Sequence, residues 1–178
     1  LVIITADCSN SNALDSVWNG IEHRLRSAEQ VILVNNAGFY VKRPFRATSV
    51  DDIQQTVKSN IVAAWNVTRR VLRTVEPTII VNVVSSSGLD QSVPRSELKL
   101  KAAYAGSKRA LSHLTEGLAH ELPQSVRLLN LYPRNINTWS TEDEADSFPP
   151  SELAAWVMRY VFSGWQWDIT KCVILPAK

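Results

Sequence analysis

What most constrains this chain is an alternation. Short apolar runs rich in branched side chains (Val31–Val34, Thr78–Val84, Val126–Tyr132 and Lys171–Leu175) are separated by longer stretches of helical period. The runs are strand-sized and suit parallel strands buried on both faces. Between them Leu14, Val17, Trp18, Ile21 and Leu25 recur at helical spacing, as do Ile53, Val57, Ile61, Trp65, Thr68 and Leu72. Ser49 and Asp52 make a capping-box pair at the start of a long helix over 49–75. Residues 102–120 and 151–162 predict two more helices. The opening residues 1–6 are apolar and branched and read as a further strand, followed by turn and cap residues from Asp7 to Asn12. Strands alternating with helices predict an α/β fold, a mainly parallel sheet between two helical layers.

In such a sheet, ligands bind outside the carboxyl ends of the strands. Polar clusters stand at these ends: Asn35-Asn36-Ala37-Gly38, Ser85-Ser86-Ser87-Gly88, and Pro133 to Thr138. Downstream of the second lies Tyr104-Ala-Gly-Ser-Lys108, which places Tyr104 and Lys108 at i and i+4 on one helix face. A free tyrosine has a pKa near ~10 and transfers protons poorly at neutral pH. A nearby ammonium favours the phenolate and brings that pKa toward the useful range. By itself a Tyr-x-x-x-Lys pair more often marks a solvated helix face. The three polar clusters on one sheet edge are what give it weight.

Taken together, in this order and spacing, these motifs resemble the short-chain dehydrogenase/reductase family, over nearly the whole chain. The resemblance implies a Rossmann-like doubly wound sheet and an NAD(P)-dependent oxidoreductase acting on a ketone or secondary alcohol. It implies Tyr104 as general acid/base, Lys108 as the residue that lowers its pKa and binds the cofactor ribose, Ser85 as the group polarising the substrate oxygen, and Asn60 as the anchor of a proton-relay water. Asn36, Ala37 and Gly38 would lie beside the ribose. Pro133, Arg134, Ile136 and Thr138 would contact the nicotinamide carboxamide, and Asp7 would face the adenine. No metal is implied. Partners would be a small carbonyl or alcohol substrate and further copies of the chain, as a homodimer or homotetramer through the helices holding Asn60 and Tyr104. Choosing Ser85 over Ser86 and Ser87 rests on the family register, three residues before Gly88. The alternative is a catalytically silent, cofactor-sensing or scaffolding relative; an epimerase or dehydratase of the extended branch is disfavoured by the Asn-Asn-Ala-Gly form.

The chain also departs from the family pattern. Its six glycines are isolated, with no Gly-x-x-x-Gly-x-Gly turn to hold a pyrophosphate on a helix N-terminus. By register, Leu1 falls at the family's third strand, so two strand–helix units, on the order of 60 residues at ~30 each, are expected to be missing. In the order 3-2-1-4-5-6 that leaves residues 1–6 without a neighbour and the Val31 strand with an open edge. Residues 1–178 are therefore expected to be a single domain lacking its first segment. Arg134 stands where glycine is usual after Pro133. The stretch 89–101 lengthens the Ser85–Tyr104 spacing and reads as a loop at the mouth of a substrate pocket.

Composition excludes several classes. A formal charge of +2 implies no nucleic-acid partner, and the cluster Lys99, Lys101, Lys108 and Arg109 reads as a solvated loop. The longest apolar runs are too short to span a bilayer. Cys8 and Cys172 have neither metal-ligand spacing nor a disulfide framework, which suits a reducing, cytoplasmic setting. His23, His113 and His120 lie on helical segments without ligand spacing. The acidic run from Glu142 to Asp146 reads as a lid surface, with Trp139 at its start; Trp165 and Trp167 read as packing residues near the C-terminus or a subunit interface.

Overall fold

The computed structural model describes residues 2–89, 99–134, 136, 149–161 and 171–174. Strands β1 (Ile32–Asn35), β2 (Ile79–Val83), β3 (Arg127–Pro133) and β4 (Lys171–Ile174) form one sheet in the order β1-β2-β3-β4, every pairing parallel. Parallel neighbours need long crossovers, and helices supply them. These are α1 (Ser11–Arg26), α2 (Val50–Val57) continued by α3 (Ala63–Thr74), α4 (Ala102–Ala119) and α5 (Pro150–Tyr160).

Successive β2 residues face opposite sides, and each side has its own core. Ile79 and Val81 pack with Leu131 and Val161, joined by Trp156 and Val157 of α5. Ile80 packs with Val126 and Leu128, joined by Leu72 of α3 and Leu118 of α4. The β2 side chains Ile79, Ile80 and Val81 are at most 2% exposed, as a strand covered on both faces requires. The three-layer α/β expectation therefore holds.

Local sequence explains the helix starts. Asn10 caps α1, its side chain accepting from the N–H groups of Asn12 and Ala13. Ser49 and Asp52 form the expected capping box, Ser49 Oγ accepting from Asp52 N and Asp52 Oδ2 from Ser49 N, both at 3.0 Å. Pro150 opens α5 from its first turn, where no donor is needed.

Two expectations are corrected. Residues 2–6 form no strand; Val2, Ile3 and Ile4 are exposed instead. A strand needs a neighbour for its N–H and C=O groups, and the described part of the sheet ends at β1, which pairs only with β2. The helix expected over 49–75 is also interrupted. Lys58–Val62 is a π-helical turn between α2 and α3, an insertion that periodicity over a long window averages away. Among the described residues no helix is long and apolar enough to cross a membrane.

Candidate active site

An asparagine stands in register on each of β1, β2 and β3, at the end of the first, next to the end of the second and in the middle of the third: Asn35 opposite Asn82, and Asn82 opposite Asn130. Their side chains form a ladder. Asn35 Nδ2 donates to Asn82 Oδ1 at 2.9 Å and Asn82 Nδ2 to Asn130 Oδ1 at 3.0 Å. Asn35 also donates to Thr68 Oγ1 and Asn130 to Thr115 Oγ1, which ties the ladder to α3 and α4. Asn82 and Asn130 are buried, and among the described residues no buried side-chain polar atom lacks a partner. A fully satisfied network of this kind is rigid, and the loops beyond it leave a fixed platform.

Asn60 sits in the π-helical turn and is 1% exposed. Its side chain clips the segment after β1: Phe39 N donates to Asn60 Oδ1 at 2.6 Å, and Asn60 Nδ2 donates to Phe39 O at 2.9 Å. The same Nδ2 donates to Ser107 Oγ at 2.8 Å, and Ser107 Oγ donates to Tyr104 O at 2.7 Å. One buried amide thus joins the Gly38–Phe39 segment to α4 on the turn that carries Tyr104 and Lys108.

Lys108 is 4% exposed and its Nζ donates to Val83 O at 2.8 Å, anchoring α4 to the end of β2. Burial pushes its pKa down from 10.5 to about 8. Gly38 lies against it. A Cβ there would stand 3.2 Å from Lys108 Nζ and 3.1 Å from Asn60 Oδ1, so only glycine leaves this cradle open. Ser85 follows β2 with extended backbone, and its Oγ accepts from Ser87 N at 3.2 Å. Its side chain also lies close enough to the Tyr104 phenol to favour the ionised form. The turn Ser86–Gly88 packs so closely on α4 that a Cβ on Gly88 would come 3.0 Å from the backbone of Lys108.

The structure therefore brings Asn60, Ser85, Tyr104, Lys108 and Gly38 together, with Asn36 and Ala37 exposed just before Gly38. Pro133 ends β3 buried, and Arg134 and Ile136 follow partly exposed. Thr138, Trp139, the run 142–146, Trp165, Trp167 and residues 90–98 of the expected pocket-mouth loop lie outside the described residues. Asp7 is exposed in the turn before α1, where its carboxylate accepts from Ser9 N and Ser9 Oγ. Those bonds hold its pKa below the usual carboxylate value.

The electrostatics differ from the expected lysine effect. Burial pushes the Tyr104 phenol above its ordinary pKa, and the Ser85 side chain offsets part of that rise. The Lys108 ammonium points at Val83 O and lies 5.9 Å from the centre of the Tyr104 ring. Desolvation of the phenol outweighs a cation that is turned away toward Val83 O. Sequence reasoning missed Ser107, Asn82, Asn130 and Tyr40. A sharper signal was present for the asparagines, a single one within each of three largely apolar strand runs.

A model of the short chain dehydrogenase family matches residues 1–147. The chain belongs to that family. Its matched relatives include an NADPH-dependent pterin aldehyde reductase from Arabidopsis thaliana, 28% identical over 141 residues, which cover 77% of this chain and 55% of that protein. Carbonyl reductase [NADPH] 2 from Sus scrofa is 28% identical over 124 residues, covering 68% of this chain and 50% of the pig protein. The chain thus spans about half the length of these two family relatives. Among solved structures, 4-hydroxyisoleucine dehydrogenase complexed with NADH superposes with a TM-score of 0.75 at 25% identity, over 96% of this chain and 78% of that one. An alcohol dehydrogenase from Thermococcus sibiricus complexed with 5-hydroxy-NADP gives a TM-score of 0.81 at 16% identity, over 96% and 72%; at that identity the likeness is one of fold.

Proposed function

We propose that this chain carries the catalytic half of an NAD(P)-dependent oxidoreductase that moves a hydride between nicotinamide and a ketone or secondary alcohol. The observation that carries the reading is the buried Lys108, its Nζ 5.9 Å from the centre of the Tyr104 ring, packed with Asn60 against the backbone of Gly38.

The corner at Gly38 suits a cofactor ribose, since the exposed glycine lets the Lys108 ammonium and the Asn60 amide oxygen pack directly against its backbone with no side chain of its own in the way. In this reading Lys108 and the Asn36–Gly38 segment hold the ribose, Pro133, Arg134, Ile136 and Thr138 hold the carboxamide, and Asp7 faces the adenine. When bound, the nicotinamide supplies or accepts the hydride.

Tyr104 does the proton chemistry. Its raised pKa keeps the phenol protonated at neutral pH, the state that carbonyl reduction requires of a donor. As the carbonyl carbon is reduced, Tyr104 gives its proton to the oxygen that becomes an alkoxide. Ser85 orients and polarises that oxygen. Lys108 is poised to accept or return a proton near pH 8, and Asn60, in the π-helical turn, would hold the water through which the proton is relayed. Remote contacts then serve to orient the reactants.

Pairing of two copies through α2, α3 and α4 belongs to the same reading. Ile53, Val57, Trp65 and Leu114 are apolar side chains at least 40% exposed on those helices. The free thiol of Cys8 is consistent with a cytoplasmic setting.

The test is NAD(P)H fluorescence on adding protein, followed by turnover against a carbonyl panel for the parent chain and Tyr104→Phe. The variant should keep cofactor bound and lose turnover. Equal turnover in both removes Tyr104 from the mechanism, and cofactor binding with no turnover in either favours the silent relative.

A further inference from the structure

The segment just after Gly38 is held more firmly than its exposure suggests. Phe39 is clipped on both backbone groups by Asn60. Val41 is 6% exposed. Arg43 N donates to Leu100 O at 2.8 Å, and Arg43 Nη1 pairs with Asp52 Oδ2 at 3.0 Å. Leu100, the acceptor, has φ of 64°, a left-handed conformation that costs a leucine about 1 kcal/mol or more and persists only where neighbours enforce it. The start of α4 and the segment 39–43 are therefore fixed to one another.

Tyr40 sits between two of these anchors. Its ring meets the Tyr104 ring edge-on, with centroids 4.8 Å apart and planes at 90°. That is the favoured geometry of an aromatic pair. Lys101 Nζ stands 5.9 Å from the Tyr40 ring centre, so the same ring also meets a cation. Tyr40 is 48% exposed, and nothing about its own burial requires an aromatic side chain there.

We propose that Tyr40 is a positioning residue for Tyr104: its ring is the wall that fixes the plane of the Tyr104 phenol and keeps water from that side of it. The proposal rests on the reading of Tyr104 as the proton donor. Among the described residues, the groups at the Tyr104 side chain include Ser85 on the turn after β2, Lys108 on its own helix, and Tyr40 from the segment after β1, with Lys101 in turn against the Tyr40 ring. Lys108 and Tyr40 both meet the ring without a bond to the hydroxyl, but the Lys108 ammonium is committed to Val83 O, whereas Tyr40 reaches the ring from outside α4 and by ring contact. It therefore acts on orientation and hydration, leaving proton transfer to Tyr104.

The experiment compares the parent chain with Tyr40→Ala, Tyr40→Phe and Tyr40→Leu, the last keeping bulk should the alanine variant fail to fold. Tyrosines carry a carbon-13 label at Cζ, and Tyr104 is assigned by its loss in Tyr104→Phe. In Tyr40→Ala or Tyr40→Leu the Tyr104 phenol should titrate at lower pH, nearer a free tyrosine, while Tyr40→Phe titrates like the parent. Turnover should follow: kcat falls about tenfold with KM nearly unchanged, and Tyr40→Phe restores it. An unmoved Tyr104 titration overturns the proposal, and so does a moved titration with unchanged kcat. Failure of Tyr40→Phe to restore kcat also overturns it, because the hydroxyl would then matter and the ring would not. The reading beneath it fails separately, if Tyr104→Phe itself keeps turnover.

Discussion

Lys108 Nζ donates to the carbonyl oxygen of Val83 at 2.8 Å, so a buried cation joins helix α4 to the last residue of β2. Its charged form is disfavoured there: the pKa is about 8, against an ordinary 10.5. A lysine whose folded pKa lies below its unfolded one binds fewer protons folded than unfolded between those values. Stability therefore rises with pH through that window. We predict that the parent chain gains stability relative to Lys108→Met between pH 8 and 10.5, by up to about 3 kcal/mol. Melting curves of the two proteins over that range check it; parallel pH profiles would show that Lys108 is not desolvated.

Gly88→Ala sets a Cβ 3.0 Å from the Lys108 backbone carbon and 3.1 Å from Arg109 N. Backbone atoms of a packed helix cannot give way locally, so the turn and α4 must separate. A loss of about 1–3 kcal/mol is expected by chemical denaturation. Gly20→Ala, where a Cβ meets nothing within 4 Å inside α1, should instead be neutral or stabilising.

Gly38→Ala meets side-chain ends instead, Asn60 Oδ1 at 3.1 Å and Lys108 Nζ at 3.2 Å. Stability should fall by no more than about 1 kcal/mol, because a lysine tip can shift. NAD(P)H affinity should fall by about tenfold or more, since the methyl group occupies the cradle. Fluorescence titration beside a melting curve separates the two effects, and unchanged affinity would move the ribose away from Gly38.

Asn82→Ala removes the middle rung of the ladder and costs Asn35 Nδ2 and Asn130 Oδ1 one hydrogen bond each, leaving the first its bond to Thr68 Oγ1 and the second its bond from Thr115 Oγ1. The lost buried hydrogen bonds contribute about 1 kcal/mol each, so a destabilisation of about 2 kcal/mol is expected. Equilibrium unfolding measures it. A loss under about 0.5 kcal/mol would mean that water substitutes for the missing amide.

Asn60→Ala should free Phe39 and uncouple Ser107 from the β1 segment. The expected cost is about 2–4 kcal/mol. A second readout is faster amide exchange at Phe39, and unchanged protection there would show that the clip is not what holds the segment.

The sequence by itself determined the parallel α/β architecture, because strands buried on both faces read as continuous apolar runs, and Thr78–Val84 announces itself that way. It also determined the Tyr104–Lys108 pairing and the Ser49–Asp52 cap, since both are set by fixed helical spacing. Residues 2–6 were misread because branched composition marks a strand only when a neighbour exists to pair with it. The π turn around Asn60, the clip on Phe39 and the edge contact of Tyr40 with Tyr104 were decided by tertiary structure. So was the direction of the Tyr104 shift. The i and i+4 spacing sets two residues on one face, but burial and the competing carbonyl of Val83 decide where the ammonium points and how little of its charge reaches the phenol.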